Sequence, residues 1–387
     1  MRGEVWQTGW AFQEAPMTRH PRICVLGGCG MMGRVIVMCL LRQDRTTRVT
    51  VVDRQVSPAP LPPRVRFRRV NLLDHRALVR ALRGHAVVIN STSHHFNLPV
   101  MRAALDARVH YLDLGGLFHF TRRQLKLDAT FRRRGLTAIL GMGCAPGVAN
   151  LLARWAAEGM ERVEEIHIKV GDRSWDPPSS AAPYAIGTIR EELTWKPAIY
   201  RRGRWRFERP FSGVEWFRFA APVGRQKIFR TIHSEVATLP KSFPGVRECS
   251  FKIGFPDEMI RAVLHPPRKS RHRASNISAP ARPRPGGEYR ALPPPHDAEV
   301  TAAVVGGFRG GKRMTRVASY IARSSGGHSA GDWNTAWPPA VAAGMIARGE
   351  LRQPGVSPPE RTVPLRPFFA RLREAGLSFS LRDRSVR

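Results

Sequence analysis

The chain has 387 residues, 42% hydrophobic and 24% charged, proportions that exclude a collagen, a wholly disordered chain and a small disulfide scaffold. Its length predicts two or three domains at about 150 residues each. Lysine and arginine number 63 against 30 acidic residues, a formal charge of +33, and all but eight of the basic residues are arginine. The arginines are spread along the chain and do not alternate with aromatic residues. Non-specific adhesion to polyanions at low salt is therefore expected, and specific nucleic-acid binding is not. Five cysteines (Cys24, Cys29, Cys39, Cys144 and Cys249) are an odd set without metal-like pairing, which predicts a reducing, cytoplasmic setting. Residues 1–20 lack the apolar stretch of a signal peptide. Residues 23–41 have the length of a membrane span, yet Arg34 interrupts them and glycines break their first half. A buried strand turning into a helix explains them better, and no membrane partner is expected.

From residue 21 onward strands and helices alternate. ICVLG (23–27) reads as a buried parallel strand and MMGRVIVMCLLRQ (31–43) as its helix. RVTVVDR (48–54) is a second strand and FRRVNLLD (67–74) a third, before a helix over 75–84 closed by Gly84. AVVINST (86–92), VHYLDLGG (109–116) and TAILGMG (137–143) supply strands four to six, with a helix over 97–108. Strands joined by helices of this length require crossovers, so the fold class is α/β, a Rossmann doubly wound parallel sheet over residues 21–146.

After residue 147 the pattern changes. A helix over 149–159 precedes strand candidates at 164–172, 216–224, 227–233, 248–255 and 297–307. Strands in succession predict an α+β substrate domain over 147–330 with a mainly antiparallel sheet. Within it, residues 265–296 hold eight prolines and seven basic residues against one acidic residue, the composition of a linker or disordered loop. Residues 331–387 read as a C-terminal helical segment, with helices at 335–351 and 366–376.

Gly28-Cys29-Gly30-Met31-Met32-Gly33 is a G-x-G-x-x-G placed between the first strand and its helix, the context a dinucleotide site requires. Gly28 would allow the tight turn, Gly30 the approach of a pyrophosphate and Gly33 close helix–strand packing. The helix N-terminus would receive the phosphate charge. Asp53, twenty residues beyond Gly33, suits the adenosine ribose hydroxyls of NAD, whereas Arg54 beside it suits the 2′-phosphate of NADP. The cofactor expected is NADP or NAD, with a lean to NADP. Asp74 falls where adenine would lie, and Asn90 and Ser91 where the nicotinamide ribose would lie; loop capping explains the three equally well.

These blocks, VLGGCGMMGRVIVMCLL (25–41), VVDR (51–54), VINSTSHHFNLPVMRAALDARVHYLDLGG (88–116) and GMGCAPGVANLLA (141–153), resemble the saccharopine dehydrogenase family, in particular its NADP-type saccharopine reductase-like members. EVATLP (235–240) and AAGMIARGELRQPGVSPPE (342–360) resemble its later blocks; the likeness is weak over 175–222 and lost over 265–295. The resemblance implies a Rossmann domain with an inserted α+β substrate and dimerisation domain, a C-terminal return to the Rossmann domain and a homodimer. It also implies a small-molecule substrate and hydride transfer at a carbon–nitrogen bond of an amino-acid or amine conjugate. Two alternatives stay open: a carboxynorspermidine dehydrogenase-like polyamine enzyme, and a non-catalytic dinucleotide-binding protein with basic nucleic-acid affinity. Asp113, ending the fifth strand, is the candidate catalytic residue, and a turn or capping role competes with it.

Two motifs are set aside. Gly327-His328-Ser329-Ala330-Gly331 matches a hydrolase elbow, but no strand precedes it and no histidine follows it. His94-His95 has no second cluster at ligand spacing, so no metal is expected.

Overall fold

The structure, a computed structural model, describes residues 21–55, 61–176, 184–265 and 296–384. The Pro/Arg-rich stretch read as a linker lies outside the described residues, apart from His265 and His296 at its two ends.

Valine-rich and isoleucine-rich runs bounded by glycine build the first sheet. β1 (Arg22–Leu26) leads through the glycine loop into α1 (Met31–Gln43), then β2 (Arg48–Asp53) and β3 (Val65–Arg69). After α2 (His75–Leu82) come β4 (Val87–Asn90), α3 (Asn97–Ala107), β5 (His110–Asp113), α4 (Leu117–Gln124), α5 (Asp128–Arg133) and β6 (Thr137–Ile139). All neighbours pair in parallel in the order β6-β5-β4-β1-β2-β3. The order reverses between β1 and β4, the switch point outside which ligands bind in such sheets. The third strand is shorter than its sequence pattern and ends at Arg69, because Asp74 turns away to cap α2.

α6 (Val148–Ala157) carries the chain to a second layer. Its sheet is built from β7 (Arg162–Ser174) and, after α7 (Ile186–Thr194), from β8 (Ala198–Arg201), β9 (Arg204–Phe207), β10 (Glu215–Arg218) and β11 (Arg225–Arg230). Beyond α8 (Glu235–Ser242) follow β12 (Glu248–Ile253), α9 (Asp257–Leu264), and the long hairpin β13 (Asp297–Arg309) and β14 (Lys312–Arg323). β7 and β12 pair in parallel; the other ladders of this sheet are antiparallel.

α10 (Ala330–Ala347) then runs between the two sheets, against α1, β4 and β5 on one side and β13 and β14 on the other. From Ala336 onward it is apolar around its whole circumference, as a helix buried on all sides must be. Ser329, the serine of the rejected elbow motif, caps it by accepting from the Asp332 amide at 3.0 Å. β15 (Gly355–Ser357) adds a seventh parallel strand beside β6, so the chain returns to the first sheet. α11 (Pro359–Thr362) and α12 (Leu365–Glu374) follow, and β16 (Ser378–Arg384) closes the second sheet against β14. The terminal segment thus contributes a strand to each sheet as well as helices.

Candidate dinucleotide and substrate site

The glycine loop forms because three positions have no room for a side chain. Gly27, not Gly28, makes the turn: its φ is +73°. A Cβ on Gly28 would lie 2.7 Å from Val51 Cγ1 on β2, and one on Gly33 would lie 2.1 Å from the Gly27 carbonyl oxygen. Gly27 was missed as a site residue, although the extra glycine of GGCG was its signal. Gly30 is the N-cap of α1, and no side chain bonds to that end of the helix. A Cβ there would meet only the Gly27 oxygen, at 3.1 Å, so the loop is open above Gly30. The first-turn amides of Met31, Met32 and Gly33 are therefore left without a side-chain cap, the condition under which a helix N-terminus receives a phosphate.

Asp53, at the end of β2, accepts from the Cys29 amide through Oδ2 and from the Gln55 amide through Oδ1, both at 3.1 Å. It thereby fixes the glycine loop beside itself. Arg54 is exposed, and Arg69 donates to the Arg54 carbonyl at 3.1 Å. Burial and then the Asp53 charge push the Cys29 thiol up, while Arg34 pulls it down, so Arg34 faces the same corner. Ser91 donates to the Leu26 carbonyl at 2.6 Å, tying β4 to β1 at the switch point. Asn90 is buried, donates to Asn97 Oδ1 at 2.9 Å and accepts from Thr92. Asp74 is exposed, and its Oδ1 caps α2 by accepting from the Ala77 amide at 2.9 Å.

Asp113 has a different character from an accessible acid. It is fully buried, and four donors occupy it: Tyr111 OH and Gln124 Nε2 on Oδ2, and the Gly115 and Gly141 amides on Oδ1. Burial pushes its carboxyl above the ordinary value while those bonds pull it back. His110, at the opposite end of β5, accepts from the Thr137 amide, and burial pushes its pKa down to about 4.

The second sheet brings acidic groups over the ends of β4, β5 and β6. Cys144, after β6, has Sγ 3.0 Å from Thr301 Oγ1 and 3.7 Å from Glu299 Oε1 on β13. Ser234 accepts from the Gly116 amide and from Thr121 Oγ1 after β5. Its neighbours His233 and Glu235 form a buried ion pair, with His233 stacked on Phe251 at 3.7 Å. Glu192 on α7 lies 3.9 Å from His233 and accepts from Tyr184 OH at 2.5 Å. Burial, outweighing His233, pushes Glu192 up to about 7. Burial and the charge of Asp172 push Glu299 up to about 7 as well, and burial with Asp297 pushes Asp172 up to about 6. Burial opposes the His233 cation, but Glu235 and Glu192 outweigh it and hold its pKa above the ordinary value. Glu235 Oε1 is buried without a hydrogen-bond partner. This acidic chamber was missed in the sequence because its members come from α7, α8, β7 and β13. On the Rossmann side, His94 and His95 reach Glu191 of α7.

A glycine loop opening a helix at the switch point of a parallel sheet is the architecture of a dinucleotide-binding domain. Residues 23–139 match the family model described as saccharopine dehydrogenase NADP binding domain. That match covers the dinucleotide-binding sheet up to β6. Saccharopine dehydrogenase (L-Glu forming) from Saccharomyces cerevisiae shares the fold, with a TM-score of 0.68 over 94% of this chain and 100% of that one at 15% identity. Carboxynorspermidine synthase of Vibrio cholerae serotype O1 is 25% identical over 209 residues, 50% of this chain and 49% of that protein. The chain thus spans about half the length of that relative. Carboxyaminopropylagmatine dehydrogenase of Synechocystis sp. is 22% identical over 390 residues, 92% of this chain and 96% of that protein. Among the described residues no helix is long and apolar enough to cross a membrane.

Proposed function

We propose that the protein is an NAD(P)-dependent oxidoreductase that forms or cleaves the carbon–nitrogen bond joining a carboxylate-bearing chain to a polyamine. The acidic chamber carries this reading. In a chain of charge +33, Glu192, Glu235, Glu299 and Asp172 are gathered beside the nicotinamide edge with His233 as their cationic neighbour. Asp172, Glu192 and Glu299, held above the ordinary carboxyl range, are relieved by a bound ammonium group and strained further by a bound carboxylate. Saccharopine, an acidic conjugate, fits that chamber less well than a cationic amine, and the Vibrio and Synechocystis relatives are named for activities of the amine kind.

A bound dinucleotide would give up hydride when the carbon–nitrogen bond is formed reductively and accept it when the conjugate is oxidised. Gly28, Cys29, Gly30, Met31, Met32 and Gly33 hold its pyrophosphate, Asn90 and Ser91 border its nicotinamide ribose, and Asp74 lies beyond the adenine. Arg34, Arg54 and Arg69 around Asp53 favour the 2′-phosphate of NADP, because Asp53 already accepts from the Cys29 amide of the glycine loop through one oxygen and from the Gln55 amide through the other. Asp113 acts as a positioning residue that ties β5 to the loop after β6. Residues 21–146 bind the dinucleotide, 147–330 the substrate, and 331–387 join the two. The exposed Phe207, Val214 and Trp216 suit pairing with a second copy, which a solution mass of two chains would reveal. The five free cysteines, four of them buried, suit a reducing cytoplasm.

The test is oxidation of saccharopine, carboxynorspermidine and carboxyaminopropylagmatine by the full chain with NADP⁺ or NAD⁺, followed by absorbance of the reduced nicotinamide. The amine conjugates should turn over faster than saccharopine, and faster with NADP⁺ than with NAD⁺. Preference for saccharopine overturns the polyamine assignment. Turnover of none, with NADPH bound, overturns the activity.

A further inference from the structure

His94 and His95 follow β4 in a single turn of 3-10 helix, and the Ser93 oxygen accepts from the His95 amide at its start. Adjacent side chains on such a turn ordinarily diverge, yet these two rings lie 4.4 Å apart, and both meet the face or edge of Phe120 from α4, at 4.8 and 5.0 Å. Their Nε2 atoms converge on one carboxylate. His94 Nε2 is 2.8 Å from Glu191 Oε2, and His95 Nε2 is 2.9 Å from Glu191 Oε1. Glu191 comes from α7, about a hundred residues along the chain and on the other sheet's side of the cleft.

One of the two contacts is not a hydrogen bond. His94 Nε2 and Glu191 Oε2 are both buried and, despite their closeness, neither has a hydrogen-bond partner. They face each other at contact distance without alignment. Two donors that share a common third centre stand in this relation: ligand atoms about 2.0–2.1 Å from a tetrahedral zinc lie about 3.3 Å apart, so this pair need open by only about half an ångström to hold one. The three ligand atoms, one from each residue, all fall within 4.8 Å.

Protonation satisfies the arrangement poorly. His94 is only 6% exposed, and its ring lies 4.4 Å from that of His95. Charging both rings would place two cations 4.4 Å apart around one carboxylate. A divalent metal needs neither proton: two neutral imidazoles and a carboxylate are the donor set that zinc accepts, with one position left for water.

We propose that His94, His95 and Glu191 form a binding site for a divalent first-row transition metal of the zinc type. Its position gives it a structural task. The histidines belong to the loop that continues from Asn90 and Ser91, and Glu191 precedes Glu192 of the acidic chamber. The metal would clasp α7 onto the dinucleotide-binding sheet and hold the chamber in register with the nicotinamide edge. This inference does not depend on which substrate the chamber takes, and metal binding is read without turnover.

The test uses the purified, tag-free full chain, stripped with a chelator and titrated with Zn²⁺ against a chromophoric competitor. His95→Ala, Glu191→Gln and, as a control for thiol ligation, Cys29→Ser are measured beside it, with circular dichroism to verify folding. One zinc per chain is expected, weakened at least about 100-fold in His95→Ala and in Glu191→Gln, since loss of even an outer-shell partner costs about 10–100-fold. Cys29→Ser should bind like the parent chain, and Zn²⁺ should raise the melting temperature of the parent but not of His95→Ala. Cobalt in place of zinc should give the visible absorbance of a low-coordinate nitrogen–oxygen site. No saturable binding, unchanged affinity in both ligand variants, or loss confined to Cys29→Ser overturns the proposal.

Discussion

At the scale of single residues, absent side chains matter as much as present ones. Gly33 has an ordinary helical position and would accept alanine by propensity. Packing forbids it, because the added Cβ would lie 2.1 Å from the Gly27 oxygen and 2.6 Å from Gly28 Cα, both backbone atoms that cannot swing aside. Gly33→Ala must therefore push α1 away from β1 and widen the cradle. The expected result is a loss of about 1–3 kcal/mol in stability and weaker NADPH binding in a fluorescence titration. Gly30→Ala, with an open space above its Cβ, should cost less stability while still reducing NADPH affinity. Equal effects of the two variants on stability would contradict this account. Asp113 teaches the converse. Its place at the end of β5 suits chemistry, but only the fold shows that Tyr111, Gln124, Gly115 and Gly141 already surround it.

At the scale of elements, strong local periodicity was legible and long-range pairing was not. Short apolar runs marked β1, β2, β4 and β5, with glycine following the first and the last of them, since buried parallel strands need little else. β14 had a readable signal that was passed over. Gly310 and Gly311 both have positive φ, +57° and +71°, the requirement of a two-residue hairpin turn between β13 and β14. β16 follows α12 with no such marker, and pairing with β14 makes it a strand. The chamber was illegible for the same reason: Glu192, Glu235 and Glu299 look like ordinary surface residues until three elements bring them together.

α10 carries the same lesson in its interior. Pro338 and Pro339 lie well inside the helix, and proline cannot donate to the carbonyl four residues earlier. For Pro338 that carbonyl belongs to Asn334, which is buried. Tyr320 on β14 donates its hydroxyl to the Asn334 oxygen at 3.3 Å, replacing the missing amide. Tyr320→Phe preserves the ring and leaves that acceptor unpaired. It should destabilise the protein by about 1–3 kcal/mol in denaturant unfolding. A neutral outcome would mean that the break in α10 needs no partner.

At the scale of the whole molecule, charge is divided between a basic exterior and an acidic chamber, and the division sets a trade-off between stability and ligand binding. Burial holds Glu192 at about 7, far above its ordinary 4.5. A carboxyl raised on folding binds its proton more tightly in the native state, so its stabilising contribution is complete below about pH 4.5 and is lost as pH rises through 7. Glu192→Gln keeps the neutral shape at every pH and can still accept from Tyr184. Variant and parent should therefore have similar stability at pH 4.5. At pH 8 the variant should be the more stable, by up to about 3 kcal/mol, the linkage limit for such a shift. Denaturant midpoints of the two proteins across this range measure the divergence. A saturating polyamine should narrow the gap at pH 8, because an ammonium beside the ionised Glu192 supplies the stabilisation that the proton provided at low pH. Parallel midpoints from pH 4.5 to 8 would show that Glu192 ionises freely. A gap that polyamine leaves unchanged would show that the chamber holds no amine.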